Sequence, residues 1–476
     1  MQFHPNPAIN RARQSVAEAA PKAEADPTRP VYHFRPPAQW MNDPNGTIYH
    51  HGYYHLFYQH NPYGDAWGHI HWGHARSTDL VHWEHLPLAL WPSAELGEGH
   101  CFSGCAWLNG QGQPLLFYTK VAPRGEEQPV SPHEQWAALS DDDMISWQKH
   151  PANPLLSLER HGGPAFAGDW RDPFIFAEAG RTFMVLGAAL EDEATVALYE
   201  AEETGLTRWA YRGLLYRRPK TETAFFECPN FFKLGEKWLL LSSPYRPVEY
   251  VVGSFELSSL QFQPEQRGIL DRGYSGTANY YATNILFDAQ GRCILFGWVR
   301  GFPPGRGWNG CLALPRLLSL GADGHPRQLP VPELQQLRGR RTRFSELTLN
   351  NETRSLDAVA GDALEIQATI ELGGAKAAGL KVRAAAGGQE GVVLRYDGQT
   401  LAVMDTYVPL ELTPPKRVTL QVFLDKSVME VFVNDGQACV TRVIDPPAEN
   451  LGVVVFAEGG GARVESLAVW ELGSIW

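Results

Sequence analysis

The chain has 476 residues, 44% hydrophobic and 20% charged. That is ordinary globular composition and excludes a disordered, collagen-like or coiled-coil protein. Lys plus Arg is 41 against 53 for Asp plus Glu, a formal charge of −12, so phosphate backbones are repelled and nucleic acid is not an expected partner.

Residues 1–30 are rich in Ala, Glu and Pro and read as an N-terminal arm, flexible or loosely docked. They lack the apolar core of a secretory signal. Nor does any apolar run reach the length of a membrane span. A cytoplasmic protein with no membrane partner is expected. Six cysteines are sparse; only Cys101 and Cys105 are close, and no second pair completes a zinc pattern, so buried free thiols are expected.

From Val31 short β-prone runs alternate with turn residues. They include Tyr53–Tyr58, Pro114–Tyr118, Thr182–Leu186, Lys237–Leu241 and Cys293–Trp298. This is an all-β pattern. The aromatic-aliphatic runs recur after Gly-containing turns, a soft repeat compatible with a β-propeller over 31–335. Residues 336–344, after Pro330-Val331-Pro332 and holding Arg338, Arg340, Arg341 and Arg343, read as a linker. Beyond them, Ala363–Ile370, Val418–Leu424 and Val428–Val433 alternate apolar and polar, and Asn434-Asp435-Gly436 is a hairpin turn. Residues 345–476 read as a β-sandwich.

Three acids share an unusual context: Asp43 before Pro44, Asp172 in Arg171-Asp172-Pro173, and Glu227 in Glu227-Cys228-Pro229. A following proline holds the preceding residue extended. Singly, each motif is more often a turn than a site. Together they suit glycoside hydrolysis, which needs one ionised and one protonated carboxyl. Asn42 is positioned to donate to Asp43 and keep it charged; Arg171 suits the same task for a neighbouring carboxylate. Phe225, Phe226 and Cys228 flank Glu227 and favour its neutral form. That division makes Glu227 the acid and Asp43 the nucleophile. Trp40, Asn42, Gln59, Trp67 and Trp72 lie close together in sequence and favour a sugar site. His69, His71 and His74 suggest a metal only weakly, because His74 leaves the face the other two would share. No metal and no cofactor are expected. GxxxxGK[ST] and GxSxG patterns are both absent.

The chain resembles glycoside hydrolase family 32, the β-fructofuranosidases, from about Arg29 to Asp435. The ordered set of motifs carries the resemblance: Trp40-Met41-Asn42-Asp43-Pro44-Asn45-Gly46, Phe57-Tyr58-Gln59-His60-Asn61-Pro62, Trp72–Trp83, Phe102-Ser103-Gly104, Arg171-Asp172-Pro173, Glu227-Cys228-Pro229, Leu314-Pro315-Arg316 and Leu424–Phe432. It implies a five-bladed β-propeller followed by a C-terminal β-sandwich, with the acids in an axial funnel on the first, third and fourth blades. It implies Asp43 as nucleophile, Glu227 as acid/base and Asp172 as transition-state stabiliser. Asn42, Gln59, Trp67, Phe102, Ser103, Arg171, Tyr281 and Trp298 would line the fructose pocket.

The implied activity is retaining hydrolysis of sucrose or short fructo-oligosaccharides by a monomer or homodimer. Fructosyl transfer, sucrose-6-phosphate hydrolysis and fructan exohydrolysis are alternatives on the same scaffold, and a non-catalytic sugar-binding protein is the alternative of another class. A phosphorylated substrate predicts a basic group at the glucose end, with Arg124, Arg246 and Arg306 as candidates. Asn279-Tyr280-Tyr281-Ala282 stands where the family often has Asp-Phe-Tyr-Ala, and Gly99-His100-Cys101 is unusual, so the rim of the site departs from the family pattern.

Overall fold

The structure is a computed structural model, and it describes residues 6–123, 133–167, 169–410 and 412–476. Five antiparallel sheets follow one another along the chain and form the blades of a propeller. Their innermost strands are Gln39–His50, His100–Leu108, Trp170–Glu178, Glu227–Leu234 and Tyr280–Phe287. Each innermost strand contacts the next, and the fifth contacts the first, so the ring closes. The return of the chain secures the closure: Trp308–Asn309 adds to the first blade, parallel to Gln39 and Trp40. Closure of this kind leaves only short outer edges unpaired.

One irregularity recurs in all five innermost strands. The register slips between Met41 and Pro44, Cys101 and Gly104, Arg171 and Phe174, Glu227 and Asn230, and Tyr281 and Asn284. Such bulges leave residues out of the ladder and re-aim their side chains. Asp172, Cys228 and Ala282 take the left-handed conformation there, at φ 65°, 47° and 47°. Pro173 and Pro229 fit these bulges because an unpaired position needs no N–H. Gly104 ends the second bulge, where a Cβ would come 1.9 Å from the Phe117 carbonyl oxygen.

A seven-stranded and a six-stranded antiparallel sheet follow and pack face to face. Their shared core includes Ile366, Leu380, Val422 and Val455. Arg338–Phe344, expected as linker, is a strand of the seven-stranded sheet and pairs with Gly461–Leu472. Its arginines hide the strand pattern, because they lie over the sheet: Arg338 and Arg341 stack on Trp470 at 4.2 and 4.9 Å.

The expected N-terminal arm also differs. Pro7–Glu24 is an α-helix, with Asn6 accepting the Ala8 N–H at its start and Pro7 in the first turn. Ile9, Ala12, Val16 and Ala23 form its buried face. Beyond the helix, Asp26 accepts from Trp308 Nε1 at 2.9 Å, which ties this segment to the closing strand. No helix among the described residues is long and apolar enough to cross a membrane.

Propeller and sandwich meet across a buried polar network. Asp425 accepts from the backbone N–H groups of Val31, Tyr32 and His33. The His33 ring lies between Asp425 and Glu430, at 2.8 and 3.0 Å. Arg316 pairs with Asp271 at 3.0 Å and also with Glu430. Burial disfavours a charged imidazole, but the bonds to Asp425 and Glu430 outweigh it and hold the His33 pKa up to about 9. Glu430 is likewise held down to about 2 against the effect of burial, by Arg316 and His33.

Candidate active site

The bulges gather side chains from all five blades at one end of the propeller axis. Asp43 comes from the first, Ser103 from the second, Asp172 from the third, Glu227 from the fourth and Tyr281 from the fifth. Cys228 sits among the acids: its Sγ is 3.5 Å from Asp43 Oδ2 and 3.9 Å from Asp172 Oδ2. Burial and the adjacent Asp43 and Asp172 charges push this thiol well above its usual range, so it remains an S–H donor.

Asp43 is clamped on both oxygens. Asn42 Nδ2 donates to Oδ1 at 3.1 Å and Ser103 Oγ donates to Oδ2 at 2.5 Å. The clamps are themselves held. Asn42 Nδ2 also reaches Gln59 Oε1 at 2.6 Å, Trp40 Nε1 donates to Asn42 Oδ1 at 2.8 Å, and Gln59 Nε2 donates to Ser103 Oγ at 2.5 Å. The resulting ring of bonds fixes the plane of the Asp43 carboxylate.

Asp172 is buried. Its backbone N–H donates to Thr119 Oγ1 at 3.0 Å, and its Oδ2 accepts from the Cys228 N–H at 3.0 Å. Burial raises its pKa to about 7, with Arg171 opposing and the nearby Glu227 and Asp43 charges adding to the rise.

Glu227 has polar company. Arg171 Nη2 donates to Oε1 at 2.8 Å and Tyr281 OH donates to Oε2 at 2.6 Å. The apolar setting expected from Phe225, Phe226 and Cys228 is not what faces the carboxylate. Phe226 is in the core, Phe225 lies under the Arg171 guanidinium at 4.3 Å, and the bulge turns the Cys228 thiol toward Asp43 and Asp172.

The expected sugar-binding residues lie around these acids. Trp67 is on the rim, 49% exposed, stacked on His100 at 4.9 Å and edge-on to Phe102. Arg171 also pairs with Asp169 and donates to Tyr245 OH at 2.7 Å. Trp298 pairs with Tyr281 in the fifth blade and meets Trp40 edge-on at 5.6 Å. His69, His71 and His74 are not gathered: His71 Nδ1 bonds the His69 carbonyl, and His74 pairs with His55 at 3.0 Å. Sequence reasoning missed Thr119, Tyr245 and Asp169. Only Asp169 carried a signal, as an acid two positions before Arg171. Arg246 and Arg306 are occupied, the first by Glu249 and the second by Thr28, Asp26 and Asp445. Arg124 lies outside the described residues.

The site's geometry coincides with relationships across the whole chain. The profile of the glycosyl hydrolases family 32 N-terminal domain matches residues 33–330, and that of the family 32 C-terminal domain matches 333–471. The chain is 31% identical to a levanase of Bacillus subtilis, over 94% of this chain and 71% of that one. It is also 31% identical to a sucrose-6-phosphate hydrolase of Escherichia coli, over 93% and 95%. Among solved structures, a Bombyx mori GH32 β-fructofuranosidase is 27% identical with a TM-score of 0.84, covering 99% of each chain. Fructan 1-exohydrolase IIa of Cichorium intybus, 24% identical, shares the fold at a TM-score of 0.83 over 94% of this chain and 98% of that one. The protein belongs to glycoside hydrolase family 32 and is a glycoside hydrolase.

Proposed function

We propose that the protein is a retaining β-fructofuranosidase that hydrolyses the terminal β-D-fructofuranosyl bond of sucrose or short fructo-oligosaccharides. The convergence of Asp43, Asp172 and Glu227 around Cys228, with Asp43 and Glu227 held by different donors, carries this reading. Family membership and relatives that act on such sugars support it.

In the first displacement an Asp43 oxygen attacks the fructosyl anomeric carbon while Glu227 protonates the departing glycosidic oxygen. A fructosyl ester of Asp43 forms and the leaving sugar is released. In the second, Glu227 takes a proton from water, the water oxygen attacks the same carbon, and Asp43 is freed. Glu227 thus alternates between acid and carboxylate, and Tyr281 suits both states. Its single hydroxyl proton has two acceptors, Glu227 Oε2 at 2.6 Å and the Ser243 carbonyl at 2.8 Å. It donates to Glu227 when that group is ionised, and to Ser243 when Glu227 carries the proton. Asp172 and Arg171 border the fructosyl position and hold its hydroxyls.

Incubation of the purified protein with sucrose tests the function. Equimolar glucose and fructose are expected. Glucose in excess of fructose indicates transfer to another sugar, and absence of both from sucrose and kestose contradicts the reading.

A further inference from the structure

Asp43 lies near one end of the innermost strand Gln39–His50, and His50 ends that strand roughly 20 Å away, at about 3.3 Å per residue. The chain then reverses through His51 and Gly52 into Tyr53–Asn61, with His50 opposite Tyr53. Both turn residues are left-handed, at φ 47° and 86°, as a two-residue hairpin turn requires. Neighbours on a strand point to opposite faces. Here the reversal brings the His51 ring over that of His50, stacked with centroids 3.8 Å apart.

The second blade supplies a carboxylate. Asp143 stands in the turn between Glu134–Leu139 and Gln148–Lys149. Asp142 accepts from the Ser146 N–H at 2.8 Å and from its hydroxyl at 2.6 Å, and Ser140 Oγ accepts from the Met144 N–H at 3.0 Å. These bonds hold the turn while Asp143 faces the first blade. Asp143 Oδ1 lies 2.8 Å from His51 Nδ1 and 3.6 Å from His50 Nε2. The first is a hydrogen bond; the second is too long for one. The donor atoms of all three residues lie within 4.8 Å of one another. Donors around one tetrahedral zinc ion stand about 3.3 Å apart, given bonds of roughly 2.0–2.1 Å. Small side-chain rotations therefore close this set on an ion. The His50 side chain is mostly buried, whereas His51 and Asp143 are exposed, so the remaining coordination position is open to water. Two imidazoles and a carboxylate suit borderline divalent ions such as Zn²⁺, whereas Mg²⁺ and Ca²⁺ take oxygen donors.

We propose that His50, His51 and Asp143 form a binding site for a divalent transition-metal ion of the zinc class, which ties the first blade to the second on the face away from the acids. The site is independent of the fructosidase reading.

The test is calorimetric titration of the untagged full chain, stripped with EDTA, with ZnCl₂, beside His51→Asn, Asp143→Asn and His82→Asn. Asparagine tolerates the left-handed backbone at 51 and 143, so these variants keep their turns. His82, exposed and paired with Asp79 alone, controls for an ordinary surface pair. The wild type is expected to bind one Zn²⁺ per chain. His51→Asn and Asp143→Asn should each weaken that site at least about tenfold, and His82→Asn should leave it unchanged. An ion held only by the folded chain stabilises it. Zn²⁺ should therefore raise the melting temperature of the wild type and not of the two site variants, and Mg²⁺ should raise none of them. The proposal is overturned by the absence of a saturable Zn²⁺ isotherm, by one that survives both His51→Asn and Asp143→Asn, or by an equal loss in His82→Asn.

Discussion

Asp43 and Glu227 are both carboxylates, yet the groups around them differ in kind. Asp43 accepts from a neutral amide and a neutral hydroxyl; Glu227 accepts from a guanidinium and a phenol. Asp43→Asn and Glu227→Gln are each expected to lower kcat on sucrose roughly 10²–10⁴-fold or more without lowering thermal stability, as initial rates and melting curves would show. Ser103→Ala removes the shorter of the two clamps on Asp43. A nucleophile free to swing off line costs about tenfold to a hundredfold in kcat, and an unaltered kcat would argue that the clamp is dispensable.

Asp172 gives the site a pH signature. Its pKa is raised by burial to about 7 in the folded protein, against 3.8 for a free aspartate. The three carboxylates interact, so this proton belongs to the cluster. kcat/KM should fall as pH rises through about 7, and a profile flat to pH 9 would contradict the arrangement. Because the folded protein binds this proton more tightly than the unfolded chain, stability declines as pH rises between those two values. Asp172→Asn should therefore raise the melting temperature at pH 7 to 8 while abolishing turnover.

The bulged innermost strand is the element that makes the site. Five register slips at matching places turn five ordinary strands into a ring of inward-aimed side chains. The sequence exposes this only in part. Asp43-Pro44 and Asp172-Pro173 stand out in the sequence by their prolines, but the extended backbone expected before Pro173 does not form, because the bulge puts Asp172 in the left-handed region at φ 65°. The surroundings of Glu227 are not legible, since the groups that bond its carboxylate come from residues 171 and 281, far off in sequence. The N-terminal helix was obscured by its prolines, Pro7 at the start and Pro21 inside, although Ile9, Ala12 and Val16 carry its spacing. Arg338–Phe344 was obscured by arginines that lie flat on Trp470. The alternating sandwich strands and the Asn434-Asp435-Gly436 hairpin were legible because water on one face forces a two-residue period.

Propeller and sandwich share one buried charge network, and that determines how the whole molecule unfolds. Arg316 is fully buried with Asp271 of the propeller and Glu430 of the sandwich. Removing one partner leaves the other charge uncompensated, so Arg316→Met or Glu430→Gln should cost about 3–5 kcal/mol in a denaturant titration. The same coupling predicts a single calorimetric transition for both parts in the wild type; two separated transitions would mean that the joint is weak. His33 adds a pH term. Its pKa is raised from 6.5 to about 9, so its contribution is complete below 6.5 and is lost as pH rises through about 9. The melting temperature should fall across that interval, and His33→Gln should lessen the fall.

The double displacement at Asp43 is the central claim, and its covalent intermediate can be sought directly. Wild-type protein turning over saturating sucrose would be quenched in acid within milliseconds and mapped by peptide mass spectrometry. The account predicts a fructosyl adduct on the peptide that contains Asp43, absent from Asp43→Asn. An adduct on the peptide carrying Asp172 or Glu227 instead, or first-formed fructose of inverted anomeric configuration, would contradict it.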